Sequence, residues 1–156
     1  MTTEYQDIVG VVITWTTYGT WLPGDARGWR EKRRGNQAPD PELEAECREK
    51  MKFDPVLLSP HDRATVEFAC REHCEHRKWL LHAVNARSNH VHVVVLANAQ
   101  PKTIRDQLKA NCTTHLRSQP IPLICERTWT KGGDCEVLFN DESLQNAIEY
   151  TLNAQD

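Results

Sequence analysis

Nowhere in this chain do about 18 apolar residues run together, which excludes a helix able to cross a membrane. The first residues lack the basic-then-apolar pattern of a secretory leader, so a cytoplasmic location is expected. No internal repeat and no low-complexity tract is present, which excludes solenoids and fibrous proteins. A strong excess of either charge is missing too: the formal net charge is -3. That balance argues against indiscriminate coating of nucleic acid but leaves room for a local basic groove. Six cysteines occur, Cys47, Cys70, Cys74, Cys112, Cys125 and Cys135. Their irregular spacing and the missing leader point to reduced thiols rather than disulfides.

What is there is a chain of 156 residues, 39% hydrophobic and 26% charged, enough for one domain with a real core. Acidic residues gather in one block, Asp40, Glu42, Glu44, Glu46 and Glu49. Basic residues gather at Arg27, Arg30, Lys32, Arg33 and Arg34, and again at Lys102, Arg105 and Lys109.

The pattern predicts a first strand over 8–17, rich in β-branched residues. Residues 23–59 read as a loop-rich insertion with one short acidic helix at 41–52. Ser59-Pro60 opens a helix, with Ser as N-cap, Pro in the first turn and Asp62 near the positive end. A strand over 78–85 turns into another beginning near His90, and a helix over 102–117 buries Ile104, Leu108 and Cys112. A short strand at 135–139 leads to a last helix over 141–153, capped by Asn140 or Asp141. This order predicts an α+β fold: a ferredoxin-like, RNA-recognition-like sandwich with an antiparallel sheet, helices on one face, and an extra carboxy-terminal helix.

The chemistry centres on Asn89-His90-Val91-His92-Val93-Val94-Val95. Side chains alternate along a strand, so His90 and His92 share one face while Val91, Val93 and Val95 share the other. Two imidazoles together on an apolar strand suit a divalent metal. In the last helix Leu144, Ile148 and Leu152 are expected to face the core. Tyr150 lies about 200° from that line by the helical period, so its phenol is presented outward. Tyrosine is a poor nucleophile at its free pKa of about 10, and a metal that polarises the electrophile lowers the barrier.

The His90-Val91-His92 strand together with one tyrosine on a carboxy-terminal helix resembles the HUH single-tyrosine transposases. More narrowly it looks like the REP-associated tyrosine transposases, bacterial relatives of the transposases of small insertion sequences. Thr14-Trp15-Thr16-Thr17-Tyr18-Gly19-Thr20-Trp21 adds to the likeness. The resemblance implies that His90 and His92 hold Mg²⁺ or Mn²⁺ on the scissile phosphate of single-stranded or hairpin DNA. It further implies that Tyr150 attacks phosphorus, leaving a 5′-phosphotyrosine and a free 3′-hydroxyl for strand transfer. The family places a third metal ligand, Gln or Asn, four residues after the tyrosine; that position is Ala154. Asn153 is favoured in its stead by geometry and Gln155 by residue type. Arg30, Lys32, Arg33, Arg34, Lys102, Arg105 and Lys109 are the expected DNA contacts. A nucleoid-associated bacterial protein, with a homodimer as one option, follows from the same likeness. So does an expectation that the tail some relatives carry after this helix is missing here.

Three other readings compete. A histidine-triad nucleotide enzyme needs a third histidine where Val94 stands. A plain single-strand binder needs exposed aromatics on the sheet, for which Trp15 and Trp79 are the candidates. A domesticated binder of hairpin DNA that cleaves weakly or not at all is the alternative that Ala154 keeps open. The group Cys70, His73, Cys74 and His76 lacks zinc-knuckle spacing and is expected to pack in the core.

Overall fold

Period-two burial along β1 (Gly10–Thr16) divides the molecule into two layers around one sheet. Val11, Ile13 and Trp15 are buried on one face, while Val12, Thr14 and Thr16 turn half-buried to the other. This computed structural model describes residues 7–156. The insertion follows, with a hairpin of β2 (Trp29–Glu31) and β3 (Gly35–Gln37) and then helix α1 (Pro41–Lys50). Next come α2 (Pro60–Arg77), β4 (Leu80–Ala86), β5 (His90–Leu96), α3 (Pro101–Ser118), β6 (Asp134–Leu138) and α4 (Asp141–Leu152).

The main sheet has the order β4-β5-β1-β6, and every pairing in it is antiparallel. With α2 and α3 as the two crossovers, this is the ferredoxin-like arrangement expected from the sequence. β5 lies inside the sheet, and Val91, Val93, Val94 and Val95 are fully buried. α2 and α3 cover the face of Val11, Ile13, Trp15, Val91 and Val93, contributing Val66, Cys70, Ile104, Leu108 and Leu116. α4 packs on the opposite face, over Ala83, Val94 and Leu138, through Leu144, Ala147 and Ile148. The second face is therefore half covered by α4 and half open along β1 and β6.

Local chemistry sets the helix ends. Ser59 and Asp62 form a reciprocal capping box at the start of α2, and Pro60 occupies its first turn. Asn140, not Asp141, caps α4, accepting a hydrogen bond from the Ser143 amide at 2.8 Å. One expectation fails in α4: Leu152 is exposed, and Thr151 is fully buried in its place. Eight residues advance an ideal helix about 80° past two full turns, whereas seven fall only about 20° short. The line from Leu144 and Ile148 therefore continues to Thr151.

The acidic helix expected at 41–52 is α1, and it buries no residue. The hairpin ahead of it was not anticipated. Its three-residue loop closes with the Arg34 amide on the Glu31 carbonyl at 3.1 Å, followed by Gly35 at φ +74°. Strands of three residues are too short to show alternation, so only that glycine marked the turn.

Candidate metal and tyrosine site

Register places the histidines. His92 pairs with Thr14 of β1 on one side and Asn85 of β4 on the other, while His90 pairs with Thr16. Cross-strand partners share a face, so Asn85, His92, Thr14 and, one strand further, Asp134 form a polar row across the sheet. The row lies on the α4 face. The two imidazole centroids are 4.7 Å apart.

Each ring is held through Nδ1. His90 Nδ1–H donates to the Asn89 side-chain oxygen, and His92 Nδ1 pairs with Thr14 Oγ1 at 3.1 Å. Such outer partners fix the orientation of a ligating histidine and leave Nε2 as the binding atom. Burial pushes both imidazoles below their ordinary value, His92 to about 4, where the neighbouring His90 adds to the effect. At His90 the Asp156 carboxylate pulls weakly the other way. Both rings are thus neutral at pH 7, the form that binds a metal. The donor set fits a divalent cation. Among the described residues no group of three His, Cys, Asp or Glu is placed to hold a metal ion, so a cation here would rest on the two imidazoles and neutral oxygens.

Tyr150 meets this pair within the same chain. Its ring centroid is 5.8 Å from that of His92, edge to face, and it is 69% exposed. A cleft of about 400 Å³ is bordered by His90, His92, Asn146, Glu149 and Tyr150. Asn153, Ala154 and Gln155 close its other side. The helix ends at Leu152, which brings both Asn153 and Gln155 to the cleft instead of winding Gln155 away. Asn153 Nδ2 donates to the Glu149 carbonyl at 2.8 Å, so its Oδ1 carries the lone pairs on offer.

Two residues overlooked in the sequence hold this arrangement. Buried Asn85 donates from Nδ2 to the Thr151 carbonyl at 2.9 Å and the Ala154 carbonyl at 3.2 Å, tying the end of α4 to the strand beside His92. Thr14 steers His92. The signal for Asn85 was an amide inside an apolar strand, where only a hydrogen-bond partner makes burial tolerable.

The basic candidates divide. Arg30, Lys32, Arg33 and Arg34 are exposed on the β2–β3 hairpin, with Arg30 3.7 Å from Asp134 and Arg34 3.9 Å from Glu31. Asp134 is two strands from His92, about 10 Å, so the hairpin borders the open half of the site face. Lys102, Arg105 and Lys109 are not brought to the cleft; they sit on α3, across the sheet. Arg105 donates to the Gly133 carbonyl at 3.2 Å and Lys109 to the Thr130 and Gly132 carbonyls at 2.9 and 2.8 Å. These bonds pin the loop before β6, where a Cβ on Gly133 would stand 2.8 Å from the Thr14 carbonyl oxygen.

Neither tryptophan expected to stack bases in a plain binder is available to do so. Trp15 and Trp79 are 1% and 8% exposed and belong to the core. Cys70 and Cys74 are buried there too, and His73 bonds Gln107 at 2.7 Å. All six cysteines are free thiols. No helix of the described residues is long and apolar enough to cross a membrane.

No family model matches this chain, and no curated protein matches it. Among solved structures it is similar to a REP-associated tyrosine transposase bound to a REP hairpin, with a TM-score of 0.51. That alignment covers 97% of this chain and 70% of the other at 9% identity, a likeness of fold.

Proposed function

We propose that this chain is a metal-dependent enzyme that nicks single-stranded or hairpin DNA and transfers strands through a 5′-phosphotyrosine. The observation that carries the reading is the convergence of Tyr150 with the His90–His92 pair in one cleft, 5.8 Å between the rings of Tyr150 and His92. Support comes also from a fold shared with a transposase solved on a REP hairpin.

In this reading the Nε2 atoms of His90 and His92 hold Mg²⁺ or Mn²⁺, with Asn153 or Gln155 supplying an amide oxygen. When bound, the cation withdraws charge from a phosphate oxygen and so favours attack at phosphorus. The chain's own residues do the rest. Tyr150 forms the new O–P bond, its phenol proton passes to solvent, and the P–O3′ bond breaks. The departing 3′-oxygen takes up a proton and stays as a hydroxyl. One phosphodiester replaces another, so no nucleotide cofactor is required. Holding the phenol at the cleft removes much of the entropic barrier to attack. Arg30, Lys32, Arg33 and Arg34 on the hairpin approach phosphates beyond the cleft, while Arg105 and Lys109 act through the loop they pin.

A second reading, a binder of hairpin or single-stranded DNA with little or no cleavage, is favoured by Ala154, which offers no side-chain ligand. One experiment separates the two. Incubation of labelled single-stranded hairpin oligonucleotides with the protein and Mn²⁺ is expected to give a covalent adduct on a denaturing gel. The adduct is expected to disappear in Tyr150→Phe and when EDTA replaces the metal. Tight binding with intact DNA supports the binder reading. Unchanged adduct in Tyr150→Phe overturns the role of that residue.

A further inference from the structure

The turn that leads into the histidine strand carries a second constellation. The Ser88 amide donates to Asp156 Oδ1 at 2.8 Å, and Arg87 Nε lies 3.4 Å from the same oxygen. Arg63 Nη1, reaching over from α2, lies 4.0 Å from Asp156 Oδ2. The Ser88 amide, with the two guanidiniums adding, holds the Asp156 carboxyl below the usual carboxylate range. Of these groups only the Ser88 amide hydrogen-bonds the carboxylate, and Nε of Arg63 and Nε of Arg87 are both buried without a hydrogen-bond partner. Two guanidiniums and one amide around a single carboxylate form a seat for an anion with more oxygens and a tetrahedral spread.

Position says which anion. The Arg87 amide donates to the His90 carbonyl at 2.7 Å, so the seat is rigidly joined to the metal-binding strand. A hollow of about 810 Å³ runs past Arg71, Asn85, Arg87 and Asp156. It shares Asn153, Ala154 and Gln155 with the catalytic cleft, so the two lie on either side of one segment. Glu67 is the acidic neighbour, and its charge is already engaged: one oxygen accepts from the Ala86 amide at 3.0 Å and the other lies 3.4 Å from Arg71 Nη2. Basic groups therefore flank the cleft on two sides, the hairpin that meets Asp134 of β6 and this seat at the β4–β5 turn.

We propose that Arg63, Arg87 and the Ser88 amide bind a DNA phosphate adjacent to the scissile one, and that the Asp156 carboxylate occupies this seat until DNA displaces it. The proposal rests on the DNA reading above and gives the substrate strand a direction, from the hairpin past the cleft to the β4–β5 turn.

The test is fluorescence anisotropy with a fluorescein-labelled hairpin oligonucleotide bearing a single-stranded flank, read over a salt series. Tyr150→Phe is the common background, so covalent capture adds nothing to the signal. Arg87→Gln and Arg63→Gln are expected to weaken binding about fivefold each, the size of one net hydrogen bond. Each should also flatten the salt slope by about 0.7, the value for one lost contact to single-stranded nucleic acid. Asp156→Asn is expected to tighten binding by about twofold or more by removing a weak, screened competitor. Unchanged affinity and slope in both arginine variants overturns the proposal. So does weaker binding in Asp156→Asn, which makes the carboxylate a strut rather than a stand-in. Melting curves identify any variant that fails to fold; the remaining two then decide. These readings are independent of cleavage: slopes that shift without any wild-type adduct keep the seat and sink the catalytic reading. An adduct with unmoved slopes does the reverse.

Discussion

Thr14 carries the most local of the structure's consequences. Its hydroxyl is the partner of His92 Nδ1 at 3.1 Å, so it would orient that ring toward the proposed metal. Removing such a partner commonly costs 10- to 100-fold in metal affinity, because the ring loses its orientation and basicity. Thr14→Val keeps the β-branched shape, so the strand stays intact. Calorimetric Mn²⁺ titration is expected to show affinity lower by about tenfold with little change in melting temperature. Equal affinity for Mn²⁺ in Thr14→Val and wild type contradicts a metal-orienting role for the hydroxyl. That His90 and His92 stand side by side was legible in the sequence, because strand alternation alone puts them on one face. Thr14 was not legible, since its role depends on the β1–β5 register, and register is a long-range property that no local pattern contains.

Elements show the same division. α2 was readable to the residue at its start because Ser59, Pro60 and Asp62 are local signals that act within one turn. The inward face of α4 was misread at its last position, since an every-fourth-residue line drifts around the helix and Thr151 replaces Leu152 in the core. What fixes the end of α4 came from another element: Asn85 of β4 bonds the Thr151 and Ala154 carbonyls. Asn85→Ala leaves those carbonyls without their donor in a buried place, at a cost of about 1–3 kcal/mol. The midpoint of thermal unfolding is expected to fall by roughly 2–12 °C for a chain of this size. Hydrogen exchange is expected to quicken at the amides of 148–154 while β5 stays protected. Adduct yield should fall further than the loss of folded protein explains, because Tyr150 sits on the loosened turn. Exchange unchanged across α4 would assign its anchoring to Leu144, Ala147 and Ile148 alone.

At the scale of the whole molecule, the two-layer division decides how many chains one reaction needs. α4 leaves β6 through a two-residue turn and lies back over β4 and β5 of its own sheet, so Tyr150 and the histidine pair face each other inside a single chain. A helix exchanged with a partner would remake the packing of Leu144 and Ile148 on the partner's sheet, but the two-residue turn after β6 is too short a hinge to carry it there. The chain is therefore expected to act in cis, with dimer formation unnecessary for cleavage. Complementation tests this directly. A His90→Ala/His92→Ala protein lacks the metal pair, and a Tyr150→Phe protein lacks the nucleophile, so neither forms adduct alone. Mixed and allowed to exchange, they are expected to remain inactive. A two-fold dimer working in trans gives the opposite result: half the pairs are mixed and each holds one intact composite site, so adduct returns to about a quarter of the wild-type yield. Recovery of that size would show that the 5.8 Å approach within one chain is a resting arrangement and that the working tyrosine comes from a partner.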